Sequence, residues 1–176
     1  MIPILHEVPG DESGIRAVIM AAFEDVDYSD GNEAKIVDKL REDGALTVSL
    51  VADDDTEIVG YCAASPVQIE GAEKKGGAED WYGIGPVAVH PDYQGHGLGN
   101  RLVFNCLRAL QGLHDARGAV VLGDPDYYGQ FGFTHRDGLE YPGVPAKFFM
   151  ALRLDGGMEF PTGTVKYHAA SGESLG

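Results

Sequence analysis

The 176-residue chain carries 28 acidic side chains against 13 basic ones, a formal net charge of −15 with histidine counted neutral. Nucleic acids and anionic membranes are bound by clustered Lys and Arg, and the sole adjacent basic pair is Lys74-Lys75, so both partner classes are excluded. The length suits one domain, and a 44% hydrophobic share supports a sizeable core and excludes disorder.

Residues 2–8 read as a short strand ended by the Pro9-Gly10 turn, and Asp11 or Ser13 is placed to cap a helix. Its apolar positions are Ile15, Val18, Ile19, Ala22 and Phe23. A second helix is expected over residues 33–41, with Ile36, Val37 and Leu40 on one face and Gly44 as its stop. Residues 46–52 and the run from Ile58 form a β-hairpin around the Asp53-Asp54-Asp55 turn. The polar, Gly-rich segment 71–80 reads as a loop. Residues 81–89, WYGIGPVAV, are apolar and β-prone, and Pro86 predicts a bulge or a splay near Gly85-Pro86.

From about Gly97 to Ala116 runs the longest helical pattern, with Leu98, Leu102, Val103, Cys106, Leu110 and Leu113 on one face and Gly118 ending the region. AVVL at 119–122 reads as a buried strand, so strand, helix and strand form a βαβ crossover with a parallel pair. A short helix is expected over 126–131, and the remaining chain, including 146–154, returns to strand. The tail beyond Val165 is small and polar, and residues from about 155 to 176 read as a C-terminal extension of a single domain. Cys62 and Cys106 are too few for a disulfide framework or a four-thiolate zinc site and read as core residues. The first residues lack a basic leader, and no window approaches the about 18 apolar residues of a membrane span. A soluble protein of a reducing compartment, the cytoplasm, is expected. The 25 glycines follow no fixed period, which excludes collagen-like and solenoid folds.

The chemistry concentrates in residues 85–100, GPVAVHPDYQGHGLGN. Gly95, Gly97 and Gly99 lie between a strand and the opening of a helix, where unpaired amides and the helix dipole favour phosphate oxygens. A Walker A loop needs Gly-Lys-Ser/Thr, but Asn100 and Arg101 follow the glycines. A dinucleotide fingerprint needs GxGxxG, and residues 95–100 read GxGxGN with no evident acidic ribose partner.

The run Gln94-Gly95-His96-Gly97-Leu98-Gly99 reads Q-x-x-G-x-G after the strand Val87-Ala88-Val89 and the linker 90–93. It resembles the acetyl-coenzyme A (acetyl-CoA) motif of the GNAT superfamily of N-acetyltransferases. The resemblance implies a single mixed α/β (α+β) domain, with a mixed central sheet, a βαβ cofactor crossover and flanking helices. It also implies that Val87, Ala88 and Val89 line the pantetheine arm, that Gln94, Gly95, His96, Gly97, Leu98 and Gly99 cradle the pyrophosphate, and that Asn100 and Arg101 lie near the phosphate end. Downstream, Tyr127-Tyr128-Gly129-Gln130-Phe131-Gly132-Phe133 resembles the family's closing pattern, a tyrosine five residues before the phenylalanine of a Gly-Phe pair. The family's phenol protonates the departing thiolate of coenzyme A (CoA), and Tyr128 holds that place; a packing or pantetheine-contact role for it stays open. A phenol of pKa about 10 can assist a thiol of pKa about 8.5 in leaving. Strand AVVLG runs straight into Asp124-Pro125, a departure from the family's full helix at this point, and resembles a bacterial subgroup of acetyltransferases.

The implied reaction moves an acetyl group from acetyl-CoA, as co-substrate and without a metal, to a primary amine of a small molecule or peptide in a ternary complex. A homodimer is compatible with it. Candidate bases for the amine are Glu33, Asp80, Asp124 and Asp126, of which Asp124 and Asp126 lie nearest Tyr128 in sequence, and solvated surface is the plainer reading of each. His90 can close a turn before Pro91, His96 can face solvent or phosphate, and Trp81 and Tyr82 can line an acceptor pocket or fill core. The competing function is a non-catalytic acyl-CoA sensor, and a nicotinamide-dependent oxidoreductase ranks last. The acceptor, the acyl length and the oligomeric state are not encoded in any motif.

Overall fold

A computed structural model describes residues 1–27, 29–71 and 78–168. Most of the polar 71–80 segment, residues 72–77, and the tail from 169 lie outside the described residues. The strands are β1 Ile4–His6, β2 Val48–Asp53, β3 Ile58–Glu70, β4 Trp81–Val89, β5 Gly118–Leu122, β6 Leu139–Glu140, β7 Phe149–Arg153 and β8 Gly163–Tyr167. The helices are α1 Glu12–Phe23, α2 Glu33–Glu42, α3 Leu98–Gln111 and the single turn α4 Pro125–Tyr128. Hydrogen-bonded neighbours follow the order β1-β2-β3-β4-β5-β7, with β8 beside β3 and β6 beside β8. β4 and β5 are parallel and β5 and β7 antiparallel, so the sheet is mixed and the α/β expectation holds.

The chain packs as two compact units, Met1–Ala64 with Gly85–Ala109 and Ser65–Ile84 with Leu110–Gly176. In the first unit, β1, β2 and the first half of β3 form an antiparallel meander. The two-residue alternation of strands sends Val51, Tyr61 and Ala63 to one face, where they join Ile15, Val18 and Ile19 of α1 and Val37 of α2 in one core. On the other face Leu98 and Leu102 of α3 approach Gly60 and Ala52 so closely that a β-carbon at Gly60 would collide with Leu102. A half-buried polar chain ties the elements together: Arg41 of α2 grips both oxygens of Glu7 at 2.8 Å. Ser49 donates to Glu7 at 2.8 Å and Tyr61 lies 2.7 Å from the Ser49 hydroxyl. Since the single serine hydrogen goes to Glu7, Tyr61 is the donor to Ser49.

In the second unit Trp81 of β4 is fully buried and its ring lies where a β-carbon of Gly118 would stand. Gly118 is therefore inside β5 as a packing residue, and does not end the helical region as the sequence suggested. That end comes earlier, at Gln111, because Gly112 follows; glycine loses more backbone entropy in a helix than any other residue. Residues 146–148 turn as a 3-10 helix behind Pro145 and only Phe149–Arg153 is strand. The remaining chain returns to strand in three pieces, β6, β7 and β8, and β8 places Val165, 1% exposed, in the core beside Val67, Phe149 and Leu139. Asp11 occupies the N-cap position of α1, yet its carboxylate accepts from the Val8 amide at 2.9 Å instead of capping the helix.

Candidate active site

The glycine loop of the first unit is built by its own side chains. Beyond β4 the His90 amide donates to the Val59 carbonyl at 2.9 Å, and His90 Nδ1 accepts from the Asp92 amide at 3.1 Å. His90 thus closes the turn at Pro91. The Tyr93 hydroxyl donates to Asp54 at 2.6 Å and pins the 3-10 turn Pro91–Tyr93 to the β2–β3 hairpin. With Tyr93, Thr56 and the amides of Glu57 and Thr56 all donating to it, the Asp54 carboxyl is held well below the usual carboxylate range. Gln94 Nε2 donates to the Val89 carbonyl at 2.9 Å, and His96 Nδ1 donates to the Gln94 carbonyl at 2.9 Å. Gln94 and His96 therefore hold the loop's shape from within.

Gly95 and Gly97 both take φ of 82°, in the left-handed region that a side chain strains, and a β-carbon on either would meet nothing within 4 Å. The loop surface is consequently bare backbone facing open space. α3 begins at Leu98, so the Leu98 and Gly99 amides lie in its first turn, ahead of the first helical bond from the Arg101 amide to the Gly97 carbonyl at 3.1 Å. These amides and the dipole behind them form a cradle for an anion. Leu98 is 5% exposed and packs towards Gly60, so its side chain anchors the cradle and only its amide faces outward. Arg101 is drawn the other way: its guanidinium donates to the Ile2 carbonyl at 2.8 Å.

Along β4, Ala88 is 1% exposed and belongs to the α1/α2 core, whereas Val87 and Val89 are half-buried. The parallel register with β5 runs from Trp81↔Gly118 to Gly83↔Val120, and β4 then passes through a cis Gly85-Pro86 bond. The three-pair register with β5 thus ends at Gly83, before Pro86.

Tyr128 closes α4 in the second unit. Its ring fills the space over Gly123, where a β-carbon would overlap it, and stands edge-on to Tyr127 and Phe133 with centroids 4.9 and 6.0 Å away. Asp124 starts this turn and its carboxylate accepts from the Asp126 amide at 2.9 Å, an N-cap that commits it to structure. Asp126 is exposed, and Asp80 sits at φ of 62° with its carbonyl bonded to the Arg117 amide at 2.9 Å. Trp81 fills core, the plainer of its two readings. Of the four carboxylates, Glu33 has the distinctive setting: one oxygen accepts from the Ser29 hydroxyl, and the other is buried with no partner among the described residues. Ser29 stands only four residues before Glu33 and was overlooked, whereas the Asp54–Tyr93 tether joins residues 39 apart that no local pattern relates.

Among the described residues no cluster of His, Cys, Asp or Glu could hold a metal ion, and no helix is long and apolar enough to cross a membrane. The sequence model of the acetyltransferase (GNAT) family matches residues 15–133, from α1 through the cradle to Phe133. The chain belongs to the GNAT acetyltransferase family. It is 40% identical over 167 residues, 92% of this chain and 93% of the relative, to the Escherichia coli K12 protein named uncharacterized N-acetyltransferase YhbS. A GNAT acetyltransferase from Brucella melitensis, solved in complex with acetyl-CoA, is 42% identical with a TM-score of 0.81 and 97% of each chain covered. YhbS from Escherichia coli, solved with CoA, is 37% identical with a TM-score of 0.80, covering 96% of this GNAT chain and 91% of that structure. The chain is thus an acetyltransferase, and both structural relatives were solved with a ligand that carries the polyanionic end an amide cradle suits.

Proposed function

We propose that this GNAT enzyme takes the acetyl group of acetyl-CoA and transfers it to a primary amine by direct attack within a ternary complex. The observation that carries this is the bare amide cradle at residues 95–100, two glycines at φ of 82° opening into a helix N-terminus. The donor supplies a thioester-activated acetyl group with a diphosphate for the cradle to hold. Residues 87–89 offer backbone groups to the pantetheine arm, and the Leu98 and Gly99 amides bind phosphate oxygens. As the new C–N bond forms and the C–S bond breaks, the Tyr128 phenol donates its proton to the sulfur, and the amine's proton leaves to a carboxylate or water. Cys62 and Cys106, both free and buried, fit a reducing cytoplasm.

Saturating acetyl-CoA raises the melting temperature as RT ln(1 + [L]/Kd) requires, and calorimetry finds one site. Absence of both effects refutes the donor assignment. With an amine that supports thiol release, Tyr128→Phe lowers kcat at least tenfold while the acetyl-CoA affinity stays within twofold. Full activity in that variant removes Tyr128 from the proton transfer.

A further inference from the structure

The glycine loop of the first unit is fastened at both ends by side chains that reach beyond it. On its entry side the Tyr93 hydroxyl donates to Asp54 Oδ2 at 2.6 Å, across to the β2–β3 hairpin. On its exit side the Arg101 guanidinium donates to the Ile2 carbonyl at 2.8 Å. A cavity of about 360 Å³ is lined by both tying residues, by Asp92, His96 and Leu98, and by the chain's first two residues. On this side, hydrogen bonds rather than closely packed side chains therefore hold the loop in place. The bonds of Gln94 to the Val89 carbonyl and of His96 to the Gln94 carbonyl join residues five and two apart, so they shape the loop locally. The Tyr93 tether is the long-range hold nearest the glycines on the entry side. The next one back, the His90 amide on the Val59 carbonyl at 2.9 Å, stands three residues earlier. Gly95 and Gly97 both need φ of 82°, and glycine has more backbone freedom to lose than any other residue. A loosened loop spreads over many shapes, and the apparent Kd rises as the fraction with its amides correctly presented falls.

We propose that Tyr93 is a positioning residue of the donor site: anchored on Asp54, its hydroxyl holds the glycine loop in the shape that presents the amides before acetyl-CoA arrives. This role rests on the acetyl-CoA reading above and adds the group that prearranges that site. Both ends of the tether are themselves fixed. Asp54 Oδ1 accepts from the Thr56 hydroxyl at 2.7 Å and from the Thr56 and Glu57 amides at 2.9 Å, which leaves Oδ2 to Tyr93. The carboxylate thus belongs to the hairpin, and the Tyr93 bond is what crosses from it to the loop. The Tyr93 ring stands edge-on to His90 with centroids 5.9 Å apart, and the Tyr93 amide donates to the His90 carbonyl at 2.8 Å. A short bond from a phenol to a carboxylate is charge-assisted, and between two groups already held it costs little further order.

Acetyl-CoA calorimetry and thermal melts on the full chain, with no acceptor present, test this. Tyr93→Phe keeps the ring beside His90 and removes only the hydroxyl. Thr56→Ala removes a hydroxyl from the same carboxylate on the hairpin side, so the two variants should melt alike and differ in affinity. The expected Kd is about five- to tenfold higher in Tyr93→Phe, the order of one residue's freed backbone, and within twofold of the unaltered protein in Thr56→Ala. In an Asp54→Ala background, where the tether is already gone, Tyr93→Phe should add less than twofold; comparing within that background cancels the effect of the lost charge on a polyanion. Tyr93→Phe binding within twofold of the unaltered chain, an equal loss in Thr56→Ala, or a full further loss in the Asp54→Ala background overturns the proposal. Gly97→Ala separates the two readings: if it weakens acetyl-CoA and Tyr93→Phe does not, the tether alone is overturned. Failure of acetyl-CoA to bind the unaltered chain overturns the donor reading and this one with it.

Discussion

Gly97→Ala isolates the amide cradle. Gly97 sits at φ of 82°, where a β-carbon would meet no protein atom within 4 Å, so the added methyl creates strain without a clash. Left-handed backbone costs a non-glycine residue about 1–2 kcal/mol, partly offset by the stiffer unfolded chain, which leaves a net loss of about 1 kcal/mol. In a chain of this size that lowers the melting temperature by about 2–4 °C. Ligand affinity should suffer more, because the methyl stands in the space where a phosphate oxygen approaches the loop amides. Loss of one charge-assisted hydrogen bond is about 1.5–3 kcal/mol, roughly a 10- to 100-fold rise in the Kd of acetyl-CoA.

The control is Gly44→Ala. Gly44 ends α2 at φ of 68° and likewise has nothing within 4 Å of a β-carbon, so its backbone strain is comparable and no cradle is touched. Titration calorimetry with acetyl-CoA, alongside thermal melts, should show both variants losing similar stability and only Gly97→Ala losing affinity. A Gly97→Ala variant that binds acetyl-CoA within twofold of the unaltered protein refutes the cradle.

Gly123→Ala pushes a methyl into the Tyr128 ring, which already fills that space; overpacking of this kind costs about 1–3 kcal/mol, and kcat should fall with little change in acetyl-CoA affinity, read by melts and steady-state kinetics. Glu7→Gln tests the polar chain behind α2. Burial raises the Glu7 pKa, but the hydrogen bonds from Arg41 and Ser49 and the Arg41 charge outweigh it, leaving the carboxyl below its ordinary value. A depressed pKa in the folded state gives stability that is present above the unfolded carboxyl's pKa and is lost as pH falls through the folded value. The variant should therefore be less stable by about 1–2 kcal/mol at pH 7 in urea melts, with the gap closing below about pH 4; a gap that persists in acid refutes the linkage. The net charge of −15 repels a polyanionic donor, so raising the salt should leave acetyl-CoA affinity unchanged or improved in calorimetry, and a steep loss would contradict binding by amides.

The donor side was legible because it is written in backbone. Residues 81–89 form one strand as predicted, Pro86 lies beyond the three-pair register with β5, and the spacing of Gly95, Gly97 and Gly99 names a loop at a helix start. Such features depend on which residues have side chains or amide hydrogens, and a one-dimensional string records that directly. Where the outcome hung on packing, the string was ambiguous. Gly118 looks like a helix stop until the Trp81 ring is found above it, and the run 146–154 looks uniformly strand-like until Pro145 sets a turn before Phe149.

The acceptor side was obscure for a related reason. Asp124 and Asp126 stood first among the four carboxylates because they lie nearest Tyr128 in sequence, and what separates the four in the structure is where each oxygen's lone pairs go. Asp124 gives its oxygen to the Asp126 amide, Asp126 is exposed, and Asp80 is fixed in a left-handed turn. Glu33 keeps one oxygen buried with no partner among the described residues. The global charge could only favour a cation somewhere on the surface.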